Sequence, residues 1–382
     1  MKLLHTADLH IGKVVNGFSL LEDQKYILEQ IVSIAKEQQV DAVLLAGDIY
    51  DRAIPCVEAV AVLDEFYTIL LNYGIQVLVI SGNHDSPERL SFGEKILEKQ
   101  GLYISGIYDG NLKKVVLSDA YGEVVFHFFP FLKTAVAGQF LKQRVSTVQE
   151  MAEQILKREE QSMDKRKRNV MLAHYFVLHG GQKAENAEEG VGGLQAIEAS
   201  LFAPYDYVAL GHIHGESYIG RKEVAYSGSP LKYSFSEVSQ NKCVKIVELK
   251  EKGRITVENY PLHPLHDMRI IKGKLKELMK EEVVKLAPYD DYICAVLTDK
   301  DDLIQPMDLL RSVYPNAMQI VMERYQNKSV SQKQQTVSKR EKSLLENYQD
   351  FYELVEEESL QGEYLDLIKE MIDMIEEEEG RQ

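Results

Sequence analysis

Cysteine is scarce in this chain. Cys56, Cys243 and Cys294 are the only three in 382 residues, and they lie far apart. An odd, scattered set gives neither a disulfide framework nor a cysteine zinc site, and it suits a reducing compartment. Each reads as a small, buried, inert side chain. Long apolar runs are missing too. No stretch reaches the roughly 18 apolar residues that mark a membrane span, so no spanning helix is expected. The start, MKLLHTADLH, is strand-like and soon carries charge, so it does not read as a signal peptide. A cytoplasmic protein is the expectation. Positive charge is also short: 44 Lys+Arg against 60 Asp+Glu leave a net −16. An acidic balance argues against nonspecific nucleic-acid binding. Its distribution weakens that argument. Residues 341–382 hold fifteen Asp/Glu and three Lys/Arg, so −12 of the total sits in a separable tail and the other 340 residues carry −4.

What is present is a 45% hydrophobic chain long enough for two or three domains. KLLHTAD, DAVLLAGD and IQVLVISGNHD read as strands. Between them, residues 20–38 and 57–72 space their apolar residues by three and four, as amphipathic helices do. That alternation predicts an α/β plan with a parallel sheet. VVFHFFP, NVMLAHY and YVALGHIH read as further strands, and residues 145–168 as a helix ending in KREEQSMDKRKR. That basic cluster is either a solvated helix end or a contact to a phosphate backbone. After residue 262 the pattern becomes a small α+β unit running to about 325, followed by a polar linker at 326–340. The tail is periodic. Leu344, Tyr348, Phe351 and Val355 share one helical face; Leu360, Tyr364, Leu367, Met371 and Ile375 share another, with Gln361-Gly362 near the break. Two short amphipathic helices must bury such stripes, on their own domain or on a partner's groove or coiled coil.

Five loops carry one kind of chemistry. Asp8 and His10 follow the first strand, Asp48 the second, and Asn83 and His84 the third; His174 ends NVMLAHY, and His212 and His214 follow YVALG. Residues two apart in extended chain point the same way, so Asp-x-His and His-x-His each offer two ligands to one place. Carboxylate, amide and imidazole without thiolate suit two hard or borderline divalent ions. These ligands suit manganese, and ligand type alone does not choose it over magnesium, iron or zinc. A carboxylate such as Asp48 bridges two ions about 3.5–4 Å apart, and such a pair clamps a phosphate and acidifies a water. His5, His127 and His179 read as structural.

At these residues the chain resembles the calcineurin-like metallophosphoesterases. The longer strings HTADLHIGK, GDIYDR, GNHDSPERLSF, GSPLKYSFSE and HPLHDMR resemble the SbcD family, nuclease subunits of SbcCD complexes. The resemblance implies an α/β sandwich of two central sheets flanked by helices (residues 1–262), a small α+β capping domain that helps hold DNA (263–325), a linker (326–340) and an acidic helical hairpin (341–382). It implies that Asp8, His10, Asp48 and His214 hold one metal and Asp48, Asn83, His174 and His212 the other. His84 would stand beside the metals as general acid, with Asp51 orienting it. It further implies a manganese-dependent nuclease, acting as a double-strand exonuclease and as an endonuclease on single strands and hairpins. The partners would be DNA without sequence preference, the SbcC ATPase whose coiled coil the tail would bind, and a second copy of this chain. Together they would form a heterotetramer, cytoplasmic and nucleoid-associated. Residues 57–72 and 88–100 are candidates for the dimer contact, though core packing also explains their apolar faces. Arg52, Arg89, Lys232 and Tyr233 stand near the metal loops, and each is read either as a DNA contact or as an ion-pair or interface residue. The rival readings are a small-molecule or nucleotide phosphodiesterase with the same dinuclear core, and a non-catalytic scaffold.

Overall fold

The structure, a computed structural model, describes residues 1–141, 145–180 and 196–323, with scattered helical positions between 345 and 372. It divides into two compact units, Met1–Met322 and Glu323–Gln382.

In the first unit two six-stranded sheets stack face to face. One sheet runs, from edge to edge, Ile255–Pro261, Cys243–Leu249, Lys2–Thr6, Ala42–Ala46, Gln76–Ile80, Leu102–Ser105. Its last four strands are parallel and its first two antiparallel. The other runs Ser217–Ile219, Arg221–Tyr226, Tyr207–Gly211, Arg168–His174, Gly122–Phe129, Lys113–Asp119.

The central strands are buried on both faces, which is why they read as unbroken apolar runs. Leu3, Leu44 and Leu78 point between the sheets and meet Phe126, Phe128, Val170 and Tyr207. Their alternates Leu4, Val43 and Val77 point outward, into the core shared with helices Leu21–Glu37 and Val57–Asn72. On the far side, Met171, Val208 and Leu210 pack against helix Val148–Ser162. The layers are therefore helix, sheet, sheet, helix, as expected for residues 1–262. That last helix is shorter than the expected 145–168. Thr147 caps its start by accepting from the Glu150 amide at 3.1 Å, and the chain leaves it at Met163 in extended conformation.

A third sheet holds three parallel strands, Met268–Gly273, Tyr292–Leu297 and Ala317–Met322. Leu275, Leu278, Ile293, Leu310 and Tyr314 give it a core of its own. Met268, Tyr292 and Met318 enter the main core instead, so this small unit is seated on the sandwich rather than tethered to it.

The expected linker, 326–340, lies outside the described residues, as do Leu344, Phe351, Val355, Leu360, Gln361, Gly362 and Ile375 of the tail. Tyr348, Tyr364, Leu367 and Met371 are helical and exposed. No helix among the described residues is long and apolar enough to cross a membrane.

Candidate metal centre

Every expected site residue sits at or just past the carboxyl end of a central strand. The convergence is produced by sharp turning. Asp8 (φ 53°), His10 (φ 44°), Asp48 (φ 50°) and His212 (φ 101°) all take left-handed backbone conformations. Asp-x-His and His-x-His were expected to converge by strand alternation; these turns replace it. Such conformations cost on the order of 1–3 kcal/mol each and cluster at functional sites. Glycine makes room beside them. A Cβ on Gly82 would stand 2.1 Å from Asp48 Oδ1, and one on Gly47 would stand 2.2 Å from His174 Nδ1.

Asp48 is central. Its Oδ2 lies 3.3 Å from His174 Nε2 and 3.6 Å from His10 Nε2, and its Oδ1 accepts from the His84 amide at 2.9 Å. On one side Asp8, His10 and His214 bring ligand atoms within 4.8 Å of one another. On the other, Asn83 Oδ1 stands 3.1 Å from His174 Nε2 and 3.0 Å from His212 Nδ1.

The donor geometry fits cations. His10 Nε2 and His214 Nε2 face each other at 3.2 Å. The Nδ1 of His214 is turned to the Glu237 carboxylate at 3.0 Å, and that of His10 toward Asp51 Oδ1 at 3.6 Å. A ring carrying its proton on Nδ1 alone would point the Nε2 lone pair at the other ring, an arrangement that a cation between them would satisfy. His174 is oriented the same way, giving its Nδ1 proton to the Ala46 carbonyl at 2.8 Å.

Charge sharing follows the packing. Burial pushes the His174 imidazole down, but the Asp48 carboxylate, with Asp8 and the Ala46 carbonyl, more than offsets it and brings the ring up to about 9. Burial pushes Asp48 up, and His174, His10 and His84 more than reverse it, so its carboxyl ends well below the usual range. Asp8 is raised, chiefly by burial. Burial, then the neighbouring His174, lowers His212 to about 4, so it is a neutral imidazole at neutral pH.

His84 is exposed at the mouth. Its Nδ1 donates to the backbone carbonyl of Asp51 at 3.0 Å, leaving Nε2 as the working atom. The expected Asp51 contact is thus made by main chain. The Asp51 carboxylate turns away, to Lys13 Nζ at 2.8 Å and toward His10. Asp85 pins the loop: it accepts from the amides of Ile49, Tyr50 and Gly82 at 3.1, 2.9 and 2.8 Å.

Glu237 and Lys242 were not anticipated. Glu237 is 3% exposed, holds His214, and pairs with buried Lys242, which also donates to the His214 carbonyl at 3.0 Å. Nothing in the local spacing marks a carboxylate 23 residues from its histidine.

Of the four residues read two ways, Tyr233 is buried: its hydroxyl donates to the Leu9 carbonyl and its ring lies edge-on to His10 and His214. Both readings of Tyr233, DNA contact and partner interface, call for a surface side chain, and this one is 5% exposed. Lys232 pairs with Asp267 of the small unit at 2.9 Å. Arg52 and Arg89 are exposed. His5 and His127 are buried structural histidines, bonded to Tyr207 and Leu210, and to Glu159 and Asn169.

Comparison with known proteins gives these features a family. Residues 1–216 match the calcineurin-like phosphoesterase model, and residues 264–356 match one described as the type 5 capsule protein repressor C-terminal domain. The SbcD subunit of nuclease SbcCD from Staphylococcus epidermidis is 32% identical over the full length of both chains. Its namesake from Staphylococcus saprophyticus is 32% identical over 96% of this chain and 94% of its own. Among solved structures, a dimetal phosphatase from Danio rerio overlays 68% of this chain and 95% of its own, with 14% identity and a TM-score of 0.39. The chain belongs to the calcineurin-like phosphoesterases and, within them, to the SbcD family of SbcCD nuclease subunits.

Proposed function

We propose that this chain is the nuclease subunit of an SbcCD-type complex, hydrolysing DNA phosphodiesters at a two-metal centre. The observation that carries this is the convergence of Asp8, His10, Asp48, Asn83, His174, His212 and His214 from five strand ends around one carboxylate. Asp8, His10 and His214 would hold one divalent ion, Asn83, His174 and His212 the other, and Asp48 both. Manganese suits this oxygen and nitrogen set. Bound there, the ions would neutralise charge on the phosphoryl oxygens and acidify water.

The chain's own groups supply the rest. Asp48 and Asp8 set the negative field of the floor. His214 and His174 keep Nε2 aimed inward by spending Nδ1 on Glu237 and Ala46, and His10 Nδ1 faces Asp51 at 3.6 Å. His84 is the one imidazole that is both exposed and fixed at Nδ1. Its Nε2 can hand a proton to the departing 3′ oxygen, general-acid work suited to imidazole. Arg52 and Arg89, exposed beside the mouth, suit phosphate contact.

Contacts dominated by phosphates give cutting without sequence preference. The small unit over residues 263–325 would guide DNA to the metals, and the acidic tail would engage the coiled coil of SbcC. Val57, Val60, Phe92 and Ile96 are exposed apolar residues on the two segments expected to pair copies of the chain, which supports a homodimer within a heterotetramer with SbcC. A cytoplasmic, nucleoid-associated location is part of the same reading. The test is manganese-dependent cleavage of end-labelled linear and hairpin DNA beside a small chromogenic phosphodiester. Preference for DNA supports the nuclease. Turnover confined to the small diester, with and without SbcC and ATP, supports a small-molecule phosphodiesterase instead.

A further inference from the structure

The loop that carries Asp8 and His10 is strained and needs external restraint. Asp8, His10 and Gly12 all have positive φ within five residues. Backbone of this kind persists only where its surroundings over-determine it. Two buried side chains supply that restraint. Gln24 donates to the His10 carbonyl at 2.7 Å and accepts from the Gly12 amide at 2.8 Å. Tyr233 donates to the Leu9 carbonyl and packs its ring on His10. The two restraining groups also touch, Gln24 Nε2 donating to the Tyr233 hydroxyl at 3.3 Å.

Each of these residues has an immediate neighbour in sequence that grips the small unit. Asp23, beside Gln24 and 2% exposed, accepts from the Tyr292 hydroxyl at 2.7 Å and from the His266 amide at 3.0 Å. Lys232, beside Tyr233, pairs with Asp267 at 2.9 Å. Consecutive residues are joined by one peptide unit, so displacing one member of a pair moves the other. Asp23–Gln24 lies on the helix Leu21–Glu37, which is stiff, and Lys232–Tyr233 lies in a buried segment.

We propose that Asp23–Gln24 and Lys232–Tyr233 are two positioning staples that tie the seat of the small unit to the metal-ligand loop at residues 8–12. The small unit thereby sets the geometry of the first metal site, in addition to any contact it makes with DNA. The inference rests on the two-metal reading for the identity of the ligands and is independent of the substrate.

The experiment removes the Lys232–Asp267 pair and the Tyr292–Asp23 bond, keeps the His266 bonds to Asp23, and leaves Gln24, Tyr233 and every ligand untouched. Lys232→Met keeps the aliphatic stem and loses the ion pair. Tyr292→Phe keeps the ring and loses the hydroxyl. Two readouts avoid activity altogether: amide hydrogen exchange of residues 9–12 in metal-free protein, and manganese affinity by calorimetry with the metal alone. In the double variant exchange in the loop should rise about tenfold and manganese affinity for one of the two ions should fall about fivefold, below the 10–100-fold typical of direct ligand supports. Lys232→Arg, which preserves the pair, should keep wild-type values. Wild-type loop exchange and wild-type affinity in the folded double variant would overturn the proposal. If the double variant does not fold, each single variant is read in the same way. A wild-type protein that binds manganese yet cuts no DNA would fail the nuclease reading while leaving the staples standing.

Discussion

The peptide carbonyl of Asp51 holds His84 Nδ1 at 3.0 Å, while the carboxylate of the same residue faces Lys13 and His10. The two functions of Asp51 are therefore separable. Asp51→Asn keeps the main-chain acceptor and so should leave kcat at saturating manganese within about threefold. It weakens the carboxylate behind His10, and manganese affinity should fall by about tenfold, in the range for lost supporting carboxylates. Calorimetry and metal-saturated kinetics on the one variant separate the effects. A large loss of kcat with unchanged affinity would return the carboxylate to His84.

Glu237 and Lys242 form a buried ion pair whose acid also holds His214. Removing one partner of such a pair strands the other charge and costs on the order of 3–5 kcal/mol. Glu237→Gln should lower unfolding stability by that order in urea titrations of metal-free protein. It should also weaken manganese binding. The double change Glu237→Gln with Lys242→Met should recover part of the stability and none of the metal affinity.

Gly82 has no room for a methyl group. Its Cβ would stand 2.1 Å from Asp48 Oδ1 and 2.3 Å from the Asp48 amide nitrogen. Gly82→Ala must displace the residue on which the two metal neighbourhoods meet. Overpacking of this kind costs about 1–3 kcal/mol. Metal content by elemental analysis should fall well below two ions per chain, with a melting temperature lowered by several degrees.

His174 links pH to metal binding. Against burial, Asp48 holds its ring up at about 9, above the ordinary histidine value. The metal-free protein therefore carries a proton there at neutral pH. That contribution to stability is fully present below about 6.5 and is lost as pH rises through about 9. A metal must displace the same proton. Manganese affinity should fall as pH drops below 9, by up to about tenfold per pH unit for each proton displaced. Calorimetry in buffers of different ionisation enthalpy should detect proton release at pH 7.5.

Much of this was legible in the sequence for a physical reason. Central parallel strands are apolar on both faces, and their polar residues collect where the strands end, so the candidate ligands stood out against plain runs. Helix Val57–Asn72 begins and ends where its apolar spacing does. Other features depend on contacts that sequence spacing does not encode. The main-chain grip on His84 arises from the left-handed turn at Asp48, and Tyr233 is buried because helix Leu21–Glu37 and the ligand loop close over it. Glu237 and Lys242 reach His214 from the end of the short 3₁₀ helix Phe235–Glu237 and from the residue before strand Cys243–Leu249, which follow it in sequence and return to it in space. The seat of the small unit, built from Asp23, His266 and Tyr292, joins residues 243 and 269 positions apart.

In the proposed DNA-cutting metal centre, His84 donates a proton and does not anchor a metal. The direct measurement is manganese-dependent cleavage of end-labelled hairpin DNA by the wild type, His84→Ala and Asp48→Ala, with bound manganese quantified in the same samples. The wild type should cleave, and His84→Ala should lose about 10²–10⁴-fold at near-normal metal content, the range for a general acid. Asp48→Ala should lose both cleavage and metal. His84→Ala protein as depleted of manganese as Asp48→Ala, or retaining full cleavage, would contradict this role for His84.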